Sequence, residues 1–91
     1  MKAKLASAPQ TLAKKLGIKI LKRPNGKVGN LKRYSEYRVK PPTIILYDTP
    51  GPSVAERIYH EIFHHLEAVN LKKPLENSEK VAREFAHCLV R

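Results

Sequence analysis

The stretch His60-Glu61-Ile62-Phe63-His64 has the form H-E-x-x-H and lies inside a long helical pattern. On a helix, residues i and i+4 share a face, so both imidazoles can reach one metal ion. Glu61 points to the neighbouring azimuth, where a carboxylate can take a proton from a metal-bound water. The pattern predicts a zinc-dependent hydrolytic centre. Its surroundings agree. Ser53 and Glu56 form an S-x-x-E capping box directly after the breaker Pro50-Gly51-Pro52. Ala55, Ile58, Tyr59, Ile62, Leu66 and Val69 then recur at helical spacing and predict a core-facing stripe on a helix over 54–69. At about 100° per residue, His60 and His64 fall nearly opposite that stripe. A histidine packed into a core would sit on it.

Outward from this helix, the chain reads as a small sheet followed by two helices. Residues 1–8 read as a loose arm, and 9–16 as a short helix with Leu12, Ala13 and Leu16 inward, closed by Gly17 as a C-cap. Ile18-Lys19-Ile20-Leu21 alternates apolar and basic residues, as a strand does. Pro24-Asn25-Gly26 and Gly29-Asn30 are turn signals. Residues 31–39 read as a second strand ended by Pro41-Pro42, and the apolar run over 43–48 as a third. After Asn70 a polar connection over 71–77 contains Pro74. Asn77 or Ser78 then caps a last helix over 78–90, with Val81, Ala82, Phe85, Ala86 and Leu89 inward. This order predicts one α+β domain over 1–91, with an N-terminal helix and a small three-stranded sheet.

Composition narrows the classes. No apolar run approaches the roughly 18 residues of a membrane span, and Lys14 and Lys15 interrupt any signal-peptide core. Cys88 is the single cysteine, so no internal disulfide forms, and a cytoplasmic protein is expected. The formal charge is +10, unevenly spread. Residues 1–40 hold twelve Lys/Arg and one acid, Glu36, whereas residues 41–91 hold six Lys/Arg and seven acids. A basic half of this kind can track phosphates or solvate a small domain. Tyr34 and Tyr37, beside Lys32, Arg33 and Arg38, could stack bases, yet they also alternate as cross-strand residues do.

Two histidines do not complete a catalytic zinc site, which takes three protein ligands and keeps a fourth position open. Glu67 shares their azimuth, but seven residues at about 1.5 Å each put it roughly 10 Å along the axis from His60. The third ligand is therefore expected from another element, and the last helix offers Glu79 or Glu84. Glu79 borders the inward stripe beside Ala82 and Ala86, whereas Glu84 lies about 130° from its centre.

The H-E-I-F-H motif followed by Glu79-Lys80-Val81-Ala82-Arg83-Glu84-Phe85-Ala86 resembles the gluzincins. In that family two motif histidines and a glutamate from a separate glutamate helix bind zinc. The small size and the sheet before the motif helix resemble its minimal members, the minigluzincins. A looser resemblance links the last helix to HExxH domains that cleave phage-type repressors. The resemblance is specific over 53–90 and topological before that. It implies a minimal zincin domain acting as a metallopeptidase on a peptide or protein substrate. It also implies one zinc ion per chain on His60, His64 and Glu79, with Glu61 as general base and acid. Resemblance to zincins makes the strand over 43–48 the edge that aligns substrate by β-addition. Minimal gluzincins can be zymogen-like, held latent by a blocked cleft or by self-association, and His87 and Cys88 near the chain end are suitable zinc-binding side chains.

One departure stands out. Gluzincins often carry Asp or Asn one turn after the ligand glutamate, supporting a metal histidine. Here that position is Arg83, which accepts no hydrogen bond. Tyr47, Tyr59, His65 and His87 have the chemistry to stabilise an oxyanion, and each also has an ordinary structural or surface role open to it. The competing class is a basic nucleic-acid-binding module in which zinc is structural or absent.

Overall fold

The computed structural model describes residues 2–24, 27–28 and 31–90. In chain order these form α1 (Lys2–Lys15), β1 (Lys19–Arg23), β2 (Lys27–Val28), β3 (Leu31–Lys32), β4 (Ser35–Arg38), β5 (Thr43–Tyr47), α2 (Val54–Asn70) and α3 (Ser78–Val90). The domain is α+β, with three helices and a small mixed three-stranded sheet of order β1-β5-β4. β1 runs parallel to β5, pairing Ile20 with Ile44 and Lys22 with Leu46. β4 runs antiparallel to β5, pairing Ser35 with Leu46 and Tyr37 with Ile44. β2 and β3 pair with each other, apart from this sheet.

Strand alternation divides the sheet into two faces. Ile44 and Leu46 turn to the helices and join Ile58, Ile62, Tyr59, Ala13, Ile18 and Ala86 in one buried cluster. Ile44, Ile58 and Ile62 are fully buried, each contributing about 1.5–3 kcal/mol of transfer free energy. The opposite face presents Lys19, Leu21 and Arg23 of β1 with Thr43 and Ile45 of β5.

Helix ends follow local chemistry. The Ser53 hydroxyl accepts from the Glu56 N–H at 3.2 Å, so the capping residue opens α2 where the S-x-x-E pattern places it. Gly17 has φ 76°; its N–H reaches the Lys14 carbonyl, and the Ile18 N–H reaches that of Ala13. This is a Schellman turn, whose left-handed residue favours glycine. Between sheet and α2, the buried Arg57 side chain binds four carbonyls: Pro52 at 2.7 Å, Tyr47 at 2.9 Å, Thr49 at 2.6 Å and Tyr34 at 3.5 Å. Its guanidinium also lies 5.3 Å from the centroid of the Tyr34 ring. One side chain thus ties the start of α2 to β5, to the loop after it and to the approach to β4.

Several expectations are corrected. The N-terminal helix begins at Lys2, not near Pro9, because the preceding Lys, Ala and Leu residues are good helix formers and continue it through the proline. The turn signals at Asn25-Gly26 and Gly29-Asn30 lie outside the described residues. The single strand expected over 31–39 is two strands, broken where the Tyr34 carbonyl turns to accept from Tyr47 N–H and Arg57. The run over 43–48 is the middle strand and not an edge, since both of its sides are paired. Leu12, Val69 and Leu89 are exposed. On α2 the buried surface shifts instead to Arg57, Glu61, His65 and Glu67, polar residues that a hydrophobic period does not count.

Arg57→Met should cost about 3 kcal/mol in chemical denaturation, because it strips donors from several carbonyls at once. A loss no larger than that of an ordinary surface substitution would mean that the guanidinium does not hold this junction.

Candidate metal centre

α2 and α3 are each other's main packing partners, joined through Ala82 and Ala86, both fully buried, and a Phe63–Phe85 ring contact at 5.4 Å. Small residues let the helices approach closely. The approach brings the N-terminal turn of α3 over the exposed side of the motif. His60 Nε2 lies 3.2 Å from His64 Nε2 and 3.2 Å from Glu79 Oε1, and His64 Nε2 lies 2.7 Å from Glu79 Oε2. The ligand atoms of these three residues all fall within 4.8 Å of one another. Donors on a tetrahedral ion at about 2.0–2.1 Å would stand roughly 3.3 Å apart, so the three atoms need little movement to share one. Among the described residues this is the one group of His, Cys, Asp and Glu side chains that could hold a metal ion. Of the two glutamates considered for the third position, Glu79 is in the group and Glu84 is not.

Glu61 lies beside this group and is buried. Its Oε2 accepts a 2.6 Å hydrogen bond from the Ser35 hydroxyl of β4. Burial pushes its carboxyl above the ordinary value, opposed by the Ser35 bond and then by the nearby His60 and His64. Two residues further along β4, the Tyr37 hydroxyl shares a 2.6 Å hydrogen bond with His65 Nδ1. Burial raises the Tyr37 phenol and lowers the His65 imidazole, so both are neutral near pH 7. Behind the group, His64 Nδ1 is 2.9 Å from a carboxylate oxygen of Glu67. Burial opposes ionisation of Glu67, but the Leu75 N–H, His64 and Ser78 together outweigh it and hold the carboxyl below its usual value.

The group opens into a cleft of about 1390 Å³ between β4, α2 and α3. Ser35 and Tyr37 of β4, His60 and Glu61 of α2, and Arg83 and His87 of α3 are among the residues that line it. β4 is an edge strand of the sheet, so its outer backbone faces away from β5 on the cleft side. Of the oxyanion candidates, His87 lines this cleft. Tyr47 binds Glu36 at 2.8 Å, Tyr59 is in the core and His65 is bound to Tyr37. Cys88 is exposed. Arg83 uses its Nε on the Glu79 carbonyl at 3.3 Å, which ties it to the ligand-bearing turn by its own helix.

Sequence reading missed Ser35 and Arg57, whose partners lie far along the chain or across a turn where no spacing rule marks them. Glu67 was weighed only as a ligand, although its i,i+3 spacing from His64 was the signal for a supporting contact. No family model, curated protein or solved structure matches the chain.

In metal-free protein, the raised Glu61 pKa has a definite sign. A carboxyl whose folded pKa lies above its unfolded value contributes stability that is complete below the unfolded pKa and is lost as pH rises through the folded one. Glu61→Gln should therefore melt higher than the parent near neutral pH, with the gap closing as pH falls toward the ordinary carboxylate range. A gap independent of pH would show that the carboxyl carries no folding penalty.

Proposed function

We propose that this chain is a zinc-dependent metallopeptidase of the gluzincin type, with His60, His64 and Glu79 holding one zinc ion and Glu61 as general base and acid. The observation that carries the reading is the convergence of His60, His64 and Glu79, with Glu61 alongside, in an open cleft. Two imidazoles and one carboxylate are a donor set used by catalytic zinc, which keeps a fourth position open. Bound there, zinc supplies a Lewis acid that lowers the pKa of a coordinated water and polarises a carbonyl.

The remaining work falls to the chain's own residues. Glu61 takes the water proton and delivers it to the leaving amine. Ser35 donates to one carboxylate oxygen and leaves the other for the water. The free edge of β4 can add an extended substrate strand by main-chain hydrogen bonds, a role that β5, paired on both sides, does not have.

Metal analysis of purified protein tests the reading. About one zinc per chain is expected, lost in His64→Ala and Glu79→Ala. Glu61→Gln should retain the metal and abolish cleavage of a peptide library. Protein that takes up no zinc even when supplied with it would reduce the motif to coincidence.

A second reading rests on a separate observation. The sheet face turned away from the helices carries Lys19, Arg23, Arg38 and Lys40 around Thr43 and Ile45, and its shallow hollow is lined by no acid. No helix of the described residues is long and apolar enough to cross a membrane, and the cations suit the phosphates of a nucleic acid. Tyr34 and Tyr37 are engaged by Arg57 and His65, so contact through phosphates and not base stacking is expected. Binding of a labelled oligonucleotide should weaken steeply with salt, with a log–log slope of about 0.7–0.9 per phosphate contacted. It should fall in the Lys19→Glu/Arg23→Glu double variant and be unmoved by Glu61→Gln. No binding at low salt would leave these residues as a solvated face.

A further inference from the structure

Glu67 is a buried carboxylate of α2 that the proposed chemistry does not use. It lies one turn beyond His64, at the end of the helix. Its carboxylate makes contacts on three sides. Oε1 is 2.9 Å from His64 Nδ1 and accepts from the Ser78 hydroxyl at 2.7 Å. Oε2 accepts from the Leu75 N–H at 2.9 Å. The Ser78 hydroxyl itself lies 3.3 Å from His64 Nδ1. The backbone of the same residue ends α2, its carbonyl accepting from Leu71 N–H at 2.8 Å and Lys72 N–H at 3.0 Å.

The contacts bear on two of the three ligands. An imidazole nitrogen that donates to a carboxylate carries the proton, which leaves the other nitrogen as a lone pair. For His64 that other nitrogen is Nε2, the atom beside His60 and Glu79. Leu75 and Ser78 belong to the connection and the first turn of α3, and Glu79 is the next residue after Ser78. The carboxylate that orients His64 therefore also fixes where α3 begins, and with it the place of Glu79.

We propose that Glu67 is a positioning residue for the metal centre, setting the proton position of His64 and the placement of Glu79 through one buried carboxylate. This rests on the metal reading of His60, His64 and Glu79. It supplies from α2 the support that Arg83, one turn after Glu79, cannot give. Glu67 does not itself ligate. Its carboxylate faces Nδ1 of His64, on the side of the ring away from Nε2, and its remaining contacts belong to Leu75 and Ser78.

The test compares zinc affinity, by competition with a chelator, in the parent chain, Glu67→Ala, Glu67→Gln and Ser78→Ala. The visible spectrum of each chain loaded with cobalt(II) is the second readout. Ile44→Val, a core change away from the site, is the control for stability alone. Glu67→Ala should lose about 10–100-fold in zinc affinity, and its cobalt spectrum should change in shape or intensity. Glu67→Gln should lose less, since its amide oxygen still accepts from His64 but its NH2 cannot accept from Leu75. Ser78→Ala should also lose affinity, and Ile44→Val should keep both affinity and spectrum while losing stability. If the parent chain binds one zinc and both Glu67 variants bind it as tightly with unchanged spectra, the inference is overturned and the metal reading stands. If affinity falls in Ile44→Val as much as in Glu67→Ala, Glu67 acts only through general stability and the inference is likewise overturned. A parent chain that binds no zinc overturns both. Should Glu67→Ala fail to fold, Glu67→Gln and Ser78→Ala decide the matter on the same readouts.

Discussion

The arrangement depends on a spacing match between an edge strand and a helix. Same-face residues on a strand recur about every 6.6–6.8 Å, and residues one turn apart on a helix about every 6 Å. Ser35 and Tyr37 on β4 therefore meet Glu61 and His65 on α2, two bonds of 2.6 Å made in step. The helix is thereby fastened alongside the strand, and the rotation that presents Glu61 to β4 turns His60 and His64 toward α3. Apolar packing of Ile58 and Ile62 on Ile44 holds α2 to the sheet. Burial is non-directional, so it fixes neither the rotation nor the register. The polar pair supplies both.

How legible this was in the sequence depends on the range of the interaction. The limits of α2 and α3 follow from a capping serine, helical periodicity and flanking breakers, all local. Gly17 was readable for the same reason. Glu79 was favoured over Glu84, without the choice being closed, because their helical azimuths differ and azimuth is set by sequence spacing alone. The position of β5 was not readable. Thr43-Ile44-Ile45-Leu46-Tyr47 suits an edge or an interior equally, and only the parallel return of β1 decides between them. Glu67 was set aside as a ligand on a sound distance argument. The i,i+3 spacing put its carboxylate within reach of the far nitrogen of His64, but the contacts with Leu75 and Ser78 depend on the connection folding back and were not readable. Val69 and Leu89 failed for the converse reason: periodicity assigned them inward, and the helices leave them without cover.

Charge adds a second division. The cations of the N-terminal half gather partly on the outer face of the sheet, at Lys19, Arg23, Arg38 and Lys40. The cleft on the other side mixes signs, with Glu36, Glu61 and Glu79 near Arg33, Lys80 and Arg83. Glu36 belongs to both regions. Its carboxyl is held below the ordinary value by the Tyr47 hydroxyl and then by Arg38, so it stays ionised and partly offsets the cations beside it. The sheet thus separates two electrostatic environments, and a ligand of one face need not perturb the other. The two proposed readings, one for each face, therefore do not exclude each other.

The buried polar residues of α2 explain why so small a domain can keep such a helix in place. Arg57, Glu61, His65 and Glu67 would each be costly to bury alone. Among the described residues, however, no buried side-chain nitrogen or oxygen lacks a hydrogen-bond partner. Their partners come from β4, from the loop after β5 and from the start of α3, so satisfying them requires all three segments to be in position together. An apolar helix face would tolerate sliding or rotation by part of a turn, whereas this one does not. The geometry a metal centre needs, two imidazoles and a carboxylate from separate helices within bonding range of one point, follows from that intolerance. The hydrophobic core of Ile44, Ile58 and Ile62 could not impose it.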